Sequence, residues 1–296
     1  MTAIAIRKRR FPTGQFVLDL ILLVFALSMV FPFLYILSVS FTDATVYQPQ
    51  AVILWPTKWS INAYKLVLSG NGFINALSST LFITCIGTPM QVIINAGMAY
   101  MLSRKHLPGK SIMMKLVVFT MLFYPGMIPA YIVIHNLGLI NSLWALILPS
   151  AAGAWTLIVM KSFFQSIPSE LEEAATIDGC NELQIFFRIM LPLSKAMLAT
   201  FTLFAAVGYW NTFFNAIIYI TDSAKWPLQV FLQQMVTSSG LSEFVDVSIQ
   251  NNFEKDIPTE IIKMSTIVIS VVPIMCVYPF LQKYFAKGVM IGSVKG

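Results

Sequence analysis

Charge is what this 296-residue sequence has least of. Asp, Glu, Lys and Arg make up 11% of it, against 57% apolar residues, where a soluble domain carries about a quarter charged residues. So little polar surface cannot cover a water-soluble fold, and the mean hydropathy of +0.76 points to lipid as the main solvent. Histidine is confined to His106 and His135, with no metal-ligand spacing. Cysteine is confined to Cys85, Cys180 and Cys276, scattered without a CxxC or Cys/His cluster, which speaks against a metal centre or a disulfide framework. No Ser/His/Asp constellation is apparent, so an embedded enzyme fits poorly. The net charge of +6 comes with no nucleic-acid motif. Instead, Arg7, Lys8, Arg9 and Arg10 stand just before the first apolar run, where they read as a topology signal. That run is longer than a secretory h-region and lacks a small-residue cleavage site, so it reads as an anchor.

What is present in quantity is apolar length. A helix needs about 20 mostly apolar residues to cross the hydrocarbon, and six stretches qualify: 15–41, 73–102, 112–134, 142–161, 194–220 and 260–282. With the amino terminus in the cytoplasm, inner loops hold Arg7–Arg10, Arg104, Lys105, Lys110, Lys115, Lys161, Arg188, Lys195, Lys283, Lys287 and Lys295. The outer side keeps Lys58, Lys65, Lys225, Lys255 and Lys263, so both termini are expected to be cytoplasmic. The expected fold class is an all-α integral membrane protein of six transmembrane helices. No repeat is visible, and 1–296 reads as one domain. Residues 1–72 form an anchor helix and outer loop, 73–283 a core with a cytoplasmic loop at 162–193, and 284–296 a tail. The outer segments around Trp55, Trp59 and Tyr64 suit either an aromatic belt or a docking surface.

Against that oily background, five of the 13 acidic residues crowd into one stretch, ELEEAATIDGCNELQIFFRIMLP at 170–192. Ser169 stands three residues before Glu172, a capping-box spacing for a first helix, and the early acidic residues complement its dipole. Gly179 supplies the left-handed residue that ends it. Asn181 then caps a second short helix, and Pro192 stops or kinks that helix. Two short helices joined by a glycine bend are expected on the cytoplasmic face. Ala174 and Ala175 leave one side small, and Leu171, Ile177, Phe186 and Phe187 offer apolar contacts.

The pattern Glu173-Ala174-Ala175, Gly179, Ile189, Leu191-Pro192 resembles the EAA loop of binding-protein-dependent ABC importer permeases, and every position of it is met. The resemblance runs from about Asn71 to the end. It is nearest the MalG-like carbohydrate permeases through YWNTFFNAIIYI at 209–220, and the LplC/YtcP type through the tail KYFAKGVMIGSVKG. It implies a type I ABC importer permease fold. It also implies a second homologous permease subunit, a cytoplasmic ATPase dimer, an extracytoplasmic solute-binding protein and a carbohydrate substrate, an oligosaccharide in class. The setting implied is a bacterial cell membrane. Coupling to the ATPase would run through Glu173, Ala174, Ala175, Gly179, Ile189, Leu191 and Pro192. This chain would bind no cofactor, with ATP and Mg on the partner subunits. In agreement, the Gly-Lys-Ser of LPGKS at 107–111 lacks the earlier glycine of a phosphate loop, Arg104 standing in its place. A permease for a non-sugar solute, or a self-contained secondary transporter, remains open. The latter is expected to show inverted repeats or several membrane carboxylates.

A polyol path needs amides, hydroxyls and aromatic faces. Thr80, Thr84, Thr88, Gln91 and Asn95 recur at spacings of three and four, on one helical face. Asn211, Asn215 and Tyr219 follow at spacing four, beside Trp210 and Phe214, and Tyr124 lies near Pro125 and Pro129. Gln91, Asn95, Tyr124, Trp210, Asn211, Asn215 and Tyr219 are therefore pathway candidates. The same residue types also hydrogen-bond between packed membrane helices, so both readings stand. Asp19 is near enough to Arg9 or Arg10 for structural pairing.

Overall fold

Backbone groups in lipid must be satisfied within the chain, which leaves helices as the economical form for so apolar a sequence. The computed structural model describes residues 13–123, 125–237 and 257–288, and among these the regular elements are helical. Among the described residues only an isolated bridge, Thr42 with Trp59, has strand character. In order, the α-helices among the described residues begin with α1 Thr13–Ser40, α2 Asn62–Ser69, α3 Asn71–Ser103, α4 Lys110–Leu122 and α5 Met127–Asn136. Then come α6 Trp144–Ile147, α7 Ala154–Gln165, α8 Glu170–Ile177, α9 Glu182–Ile185 and α10 Leu191–Leu193. The last are α11 Lys195–Trp210, α12 Phe214–Tyr219, α13 Leu228–Thr237 and α14 Thr259–Gly288. The Arg7–Arg10 cluster, Tyr124 and the tail beyond Gly288 lie outside the described residues.

Among the described residues three helices are long and apolar enough to span by themselves: Gly14–Ser40, Asn71–Ser103 and Thr259–Cys276. The other three expected spans are interrupted; the total reaches up to six if each of three bent pairs is counted as one, the third of them joining Glu182–Leu193 to Lys195–Trp210. The stretch expected at 112–134 is two helices. The chain leaves helical geometry at Phe123 and passes Pro125, which has no N–H to donate. It re-enters helix after Gly126, whose φ of 88° is open to glycine. The stretch expected at 142–161 breaks at Ala151–Gly153, and its halves lie 47° apart. The stretch expected at 194–220 ends as a helix at Trp210, and a turn separates it from α12. At its start, Glu182–Leu193 and Lys195–Trp210 meet at 82°.

Contacts divide the chain into two compact units, 1–67 with 247–269, and 68–246 with 270–296. In the first, α1 presents apolar side chains outward along nearly its whole length, as a lipid-facing helix does. Below it, Asp43 pairs with Lys58 at 3.3 Å. Tyr64 donates from its hydroxyl to Ser40 Oγ at 2.7 Å, and Ser265 Oγ donates to the Ser40 carbonyl at 3.1 Å. Tyr64 is thus a packing residue, while Trp55 and Trp59 stay exposed.

In the second unit α3 is the central element, packed along α7 and α11. Its crossing with α11 depends on Gly87, because a Cβ there would sit 2.6 Å from the Tyr209 ring. Tyr209 in turn donates to the Ile147 carbonyl at 3.2 Å. One apolar cluster joins Ala96, Ala99 and Tyr100 of α3 to Met160 and Phe164 of α7 and Met197 and Phe201 of α11. It also takes in Ala175, Ile185, Phe186 and Met190 from the 170–192 segment.

Candidate functional site

The acidic segment folds as two short helices reversed at Gly179, as its sequence predicts. Gly179 has φ 82°. Its N–H donates to the Thr176 carbonyl at 3.0 Å and the Cys180 N–H to the Ala175 carbonyl at 2.9 Å, the paired bonds of a Schellman ending. Asn181 opens the second helix with a full capping box: its side chain accepts from the Gln184 N–H at 2.9 Å, and Gln184 Oε1 accepts from the Asn181 N–H at 2.9 Å. Beyond α9 the chain widens into a π turn, Phe186–Met190, before Pro192. Proline lacks the N–H that would continue the regular ladder there.

Ser169 does not cap α8. Its backbone is already helical, at φ −67° and ψ −23°, and its side chain makes no cap hydrogen bond. Glu172, its expected partner, is drawn away instead. It forms an ion pair with Arg104, at the carboxyl end of α3. The same guanidinium reaches Glu182 Oε1 from its other terminal nitrogen at 2.7 Å. Tyr100 donates to Glu182 Oε2 at 2.9 Å, and Arg104 Cζ lies 5.2 Å from the Tyr100 ring centroid. Lys110 Nζ, from the Gly-Lys-Ser triplet, donates to the Arg104 carbonyl at 2.8 Å and so caps α3. The Arg104 hydrogen bond holds the Glu182 carboxyl below the ordinary carboxylate range, against a partial loss of hydration.

This arrangement sorts the loop residues into two sets. Ala175, 6% exposed, is packed inside the chain's own core, so its small side chain serves internal packing. Ile189 and Leu191 pack against that core. Glu173, Ala174, Gly179 and Pro192 face outward. Beside them Ile177 is 86% exposed, Leu183 68% and Phe187 60%, an apolar tip on an acidic knob.

The pathway candidates also divide. A cavity of about 520 Å³ is lined by Gln91 from α3, Thr156 from α7, Phe201, Phe204 and Gly208 from α11, and Asn211 and Asn215 beyond it. Gln91, Asn211 and Asn215 therefore line one cavity. Asn95 does not join them. It is fully buried, donating to the Gln91 carbonyl at 2.7 Å and the Ala151 carbonyl at 3.1 Å, and accepting from the Gly153 N–H at 3.0 Å. It satisfies the backbone groups freed where 142–161 breaks. Thr80, on the same face, accepts from the Leu228 N–H at 2.7 Å. Trp210 and Tyr219 are buried, and Tyr219 stacks on Tyr131 with ring centroids 6.3 Å apart. Tyr124 falls outside the described residues. The contact that sequence reasoning missed is Arg104, although its opposite charge on the same expected side as the acidic island was a usable signal.

Comparison with known proteins agrees with this architecture. Residues 59–291 match the family described as "Binding-protein-dependent transport system inner membrane component". The chain is 48% identical over 267 residues to "Protein LplC" of Bacillus subtilis (strain 168), covering 90% of each chain. It is 49% identical to "Polygalacturonan/rhamnogalacturonan transport system permease protein YtcP" of the same organism, over 93% of this chain and 96% of that one. A chain from the "Crystal structure of a bacterial ABC transporter involved in the import of the acidic polysaccharide alginate" superposes with TM-score 0.85 at 32% identity, covering 96% of this chain and all of that one. The chain belongs to the binding-protein-dependent ABC importer permeases, the inner-membrane components of such transport systems.

Proposed function

We propose that this permease carries a carbohydrate, an oligosaccharide in class, delivered by an extracytoplasmic solute-binding protein, and that the 162–193 loop couples it to a cytoplasmic ATPase. The reading includes six spans with both termini in the cytoplasm, within a multi-pass bacterial membrane protein. A second homologous permease completes the pathway. ATP and Mg bind the partner ATPase, and this chain performs no hydrolysis itself.

One observation carries the coupling half. The knob turns an apolar tip of Ile177, Leu183 and Phe187 outward while its other face is continuous with the core around α3, α7 and α11. A surface of that kind is covered by a partner, and a load placed on it passes into the membrane helices as a packed body. In the transport cycle, ATP binding draws the two ATPase subunits together. The knobs on the paired permeases follow, and the helices around the cavity switch from inward to outward opening.

The carbohydrate half rests on the substrates named for the polygalacturonan/rhamnogalacturonan and alginate transporters. The cavity's make-up supports it: Gln91, Asn211 and Asn215 offer paired donors and acceptors, and Phe201 and Phe204 offer ring faces. Titrating the solute-binding protein that works with this permease against oligogalacturonides, neutral oligosaccharides and amino acids tests this half. Saturable binding of an oligosaccharide is expected. Binding of an amino acid alone overturns the substrate class and leaves the coupling half standing.

A further inference from the structure

We propose that Arg104 is a positioning residue for coupling: a single guanidinium ties both helices of the 170–192 knob to the end of α3 and so makes α3 follow the knob. The inference rests on the reading of that knob as the ATPase-coupling element. It concerns how the motion leaves the knob, through a residue that lies outside the EAA pattern.

The geometry is specific. Glu172 belongs to α8 and Glu182 to α9, the two sides of the Gly179 reversal, and Arg104 pairs with both. A planar guanidinium can serve two carboxylates at once from different nitrogens, which an ammonium on a flexible stem does less well. Glu182 is gripped a second time from α3, by the Tyr100 hydroxyl one helical turn before Arg104. Arg104 and Glu172 are each only about one-fifth exposed, 22% and 20% at the side chain, so this pair is sheltered in a way that most surface pairs are not. The carboxyl end of α3 also favours a cation electrostatically.

The destination of the motion is equally defined. Gln91 lines the cavity from the same helix, 13 residues before Arg104, or about 20 Å at the α-helical rise. A helix held by two carboxylates from the two halves of the knob cannot be left behind when the knob is displaced. The apolar cluster beneath the knob is the competing route, since it touches α7 and α11 as well as α3. The ion latch reaches α3 alone.

The test uses the whole transporter, this chain with its permease partner and ATPases, in liposomes. Cys85, Cys180 and Cys276 are replaced by alanine and Gln91 by cysteine. The rate of labelling by a membrane-impermeant maleimide is then compared between the resting and ATP-vanadate-trapped states. With Arg104 intact, trapping changes the rate at least threefold. Arg104→Ala cuts that change to less than half, and so does the pair Glu172→Gln with Glu182→Gln. Combining all three substitutions takes away nothing more, because they break one connection. Arg104→Lys, which keeps charge but reaches one carboxylate, falls between. The proposal is overturned if Arg104→Ala keeps the full change, or if the triple variant loses clearly more than either set. It is also overturned if trapping changes nothing with Arg104 intact, or if Arg104→Ala and Arg104→Lys both abolish assembly of the complex, which makes the residue a holder of the fold. Gly179→Leu separates this from the reading beneath it. A response kept in Gly179→Leu sinks the knob as the input, whereas a response lost there and kept in Arg104→Ala sinks the latch alone.

Discussion

The knob at 170–192 and the polar stripe of α3 are both departures from an apolar sequence, yet they are held in opposite ways. The knob's shape is set largely by neighbours in sequence: a Schellman ending at Gly179 and a capping box at Asn181. Two of the stripe's polar groups are spent on distant backbone, Thr80 on the Leu228 N–H and Asn95 on the broken segment 151–153, while the Thr84 and Thr88 hydroxyls are buried without a hydrogen-bond partner. Within one stripe, then, Asn95 satisfies a break elsewhere and Gln91 faces a cavity. Burial tells the two apart: Asn95 is fully buried, while Gln91, four residues earlier, reaches the cavity.

The contrast is broken most severely at Gly179. A side chain there must adopt the left-handed conformation, at about 1–2 kcal/mol, in a turn that fixes both knob helices. Gly179→Leu is expected to lower uptake at least tenfold while the permease stays in the membrane at its normal level, as measured by transport and immunoblot together. Uptake at the normal rate contradicts the role given to the bend. Next in size is Asn95→Ala, which takes the side-chain partner from the buried Ala151 carbonyl, at about 1–3 kcal/mol, and from the half-buried Gly153 N–H, at less. A fall of several degrees in the melting temperature of the detergent-purified complex is expected. An unchanged melting temperature with altered transport would return Asn95 to the pathway.

Asn211→Ala should show the reverse pattern. The residue is exposed at the cavity, with hydrogen bonds to the Val207 carbonyl at 2.9 Å and from Gln229 at 3.3 Å. A several-fold change in substrate-stimulated ATPase activity is expected with little change in melting temperature. A loss of assembly instead makes it a packing residue. The smallest effect is that of pH on the knob. The pKa of Glu182 is lowered in the folded protein from an ordinary value of 4.5. Its contribution is therefore present above that value and lost as pH falls through the lowered one. Glu182→Gln should lower the melting temperature slightly at neutral pH, flatten the acid limb below about pH 4.5, and converge on the unsubstituted protein at lower pH, where Glu182 is protonated in both states. An acid limb of unchanged steepness removes Glu182 from the account.

Local rules made the knob legible, since Gly179, Asn181 and Pro192 act on residues within one turn of themselves. Ser169 shows where such rules stop. Its capping-box spacing was in place, but its backbone entered the helix early and Glu172 went to Arg104, 68 positions away. The spans were legible as apolar lengths and their interruptions only partly so. Pro125 lies at the break after Leu122, and a proline's missing N–H is a local signal. The break at Ala151–Gly153 depends on Asn95, more than 50 residues earlier in the chain. For the cavity, period alone grouped Gln91 with Asn95, and only the packing of α3 on α7 and α11 separated them.

The most direct measurement places a photocrosslinking amino acid at Ile177, on the knob, and in a second variant at Asn211, at the cavity, in the assembled transporter. Irradiation at 177 should join this chain to the ATPase, and irradiation at 211 should not. Absence of an ATPase adduct from 177 in a complex that still hydrolyses ATP, or an equal yield from 211, would contradict the claim that the acidic knob is where the engine engages.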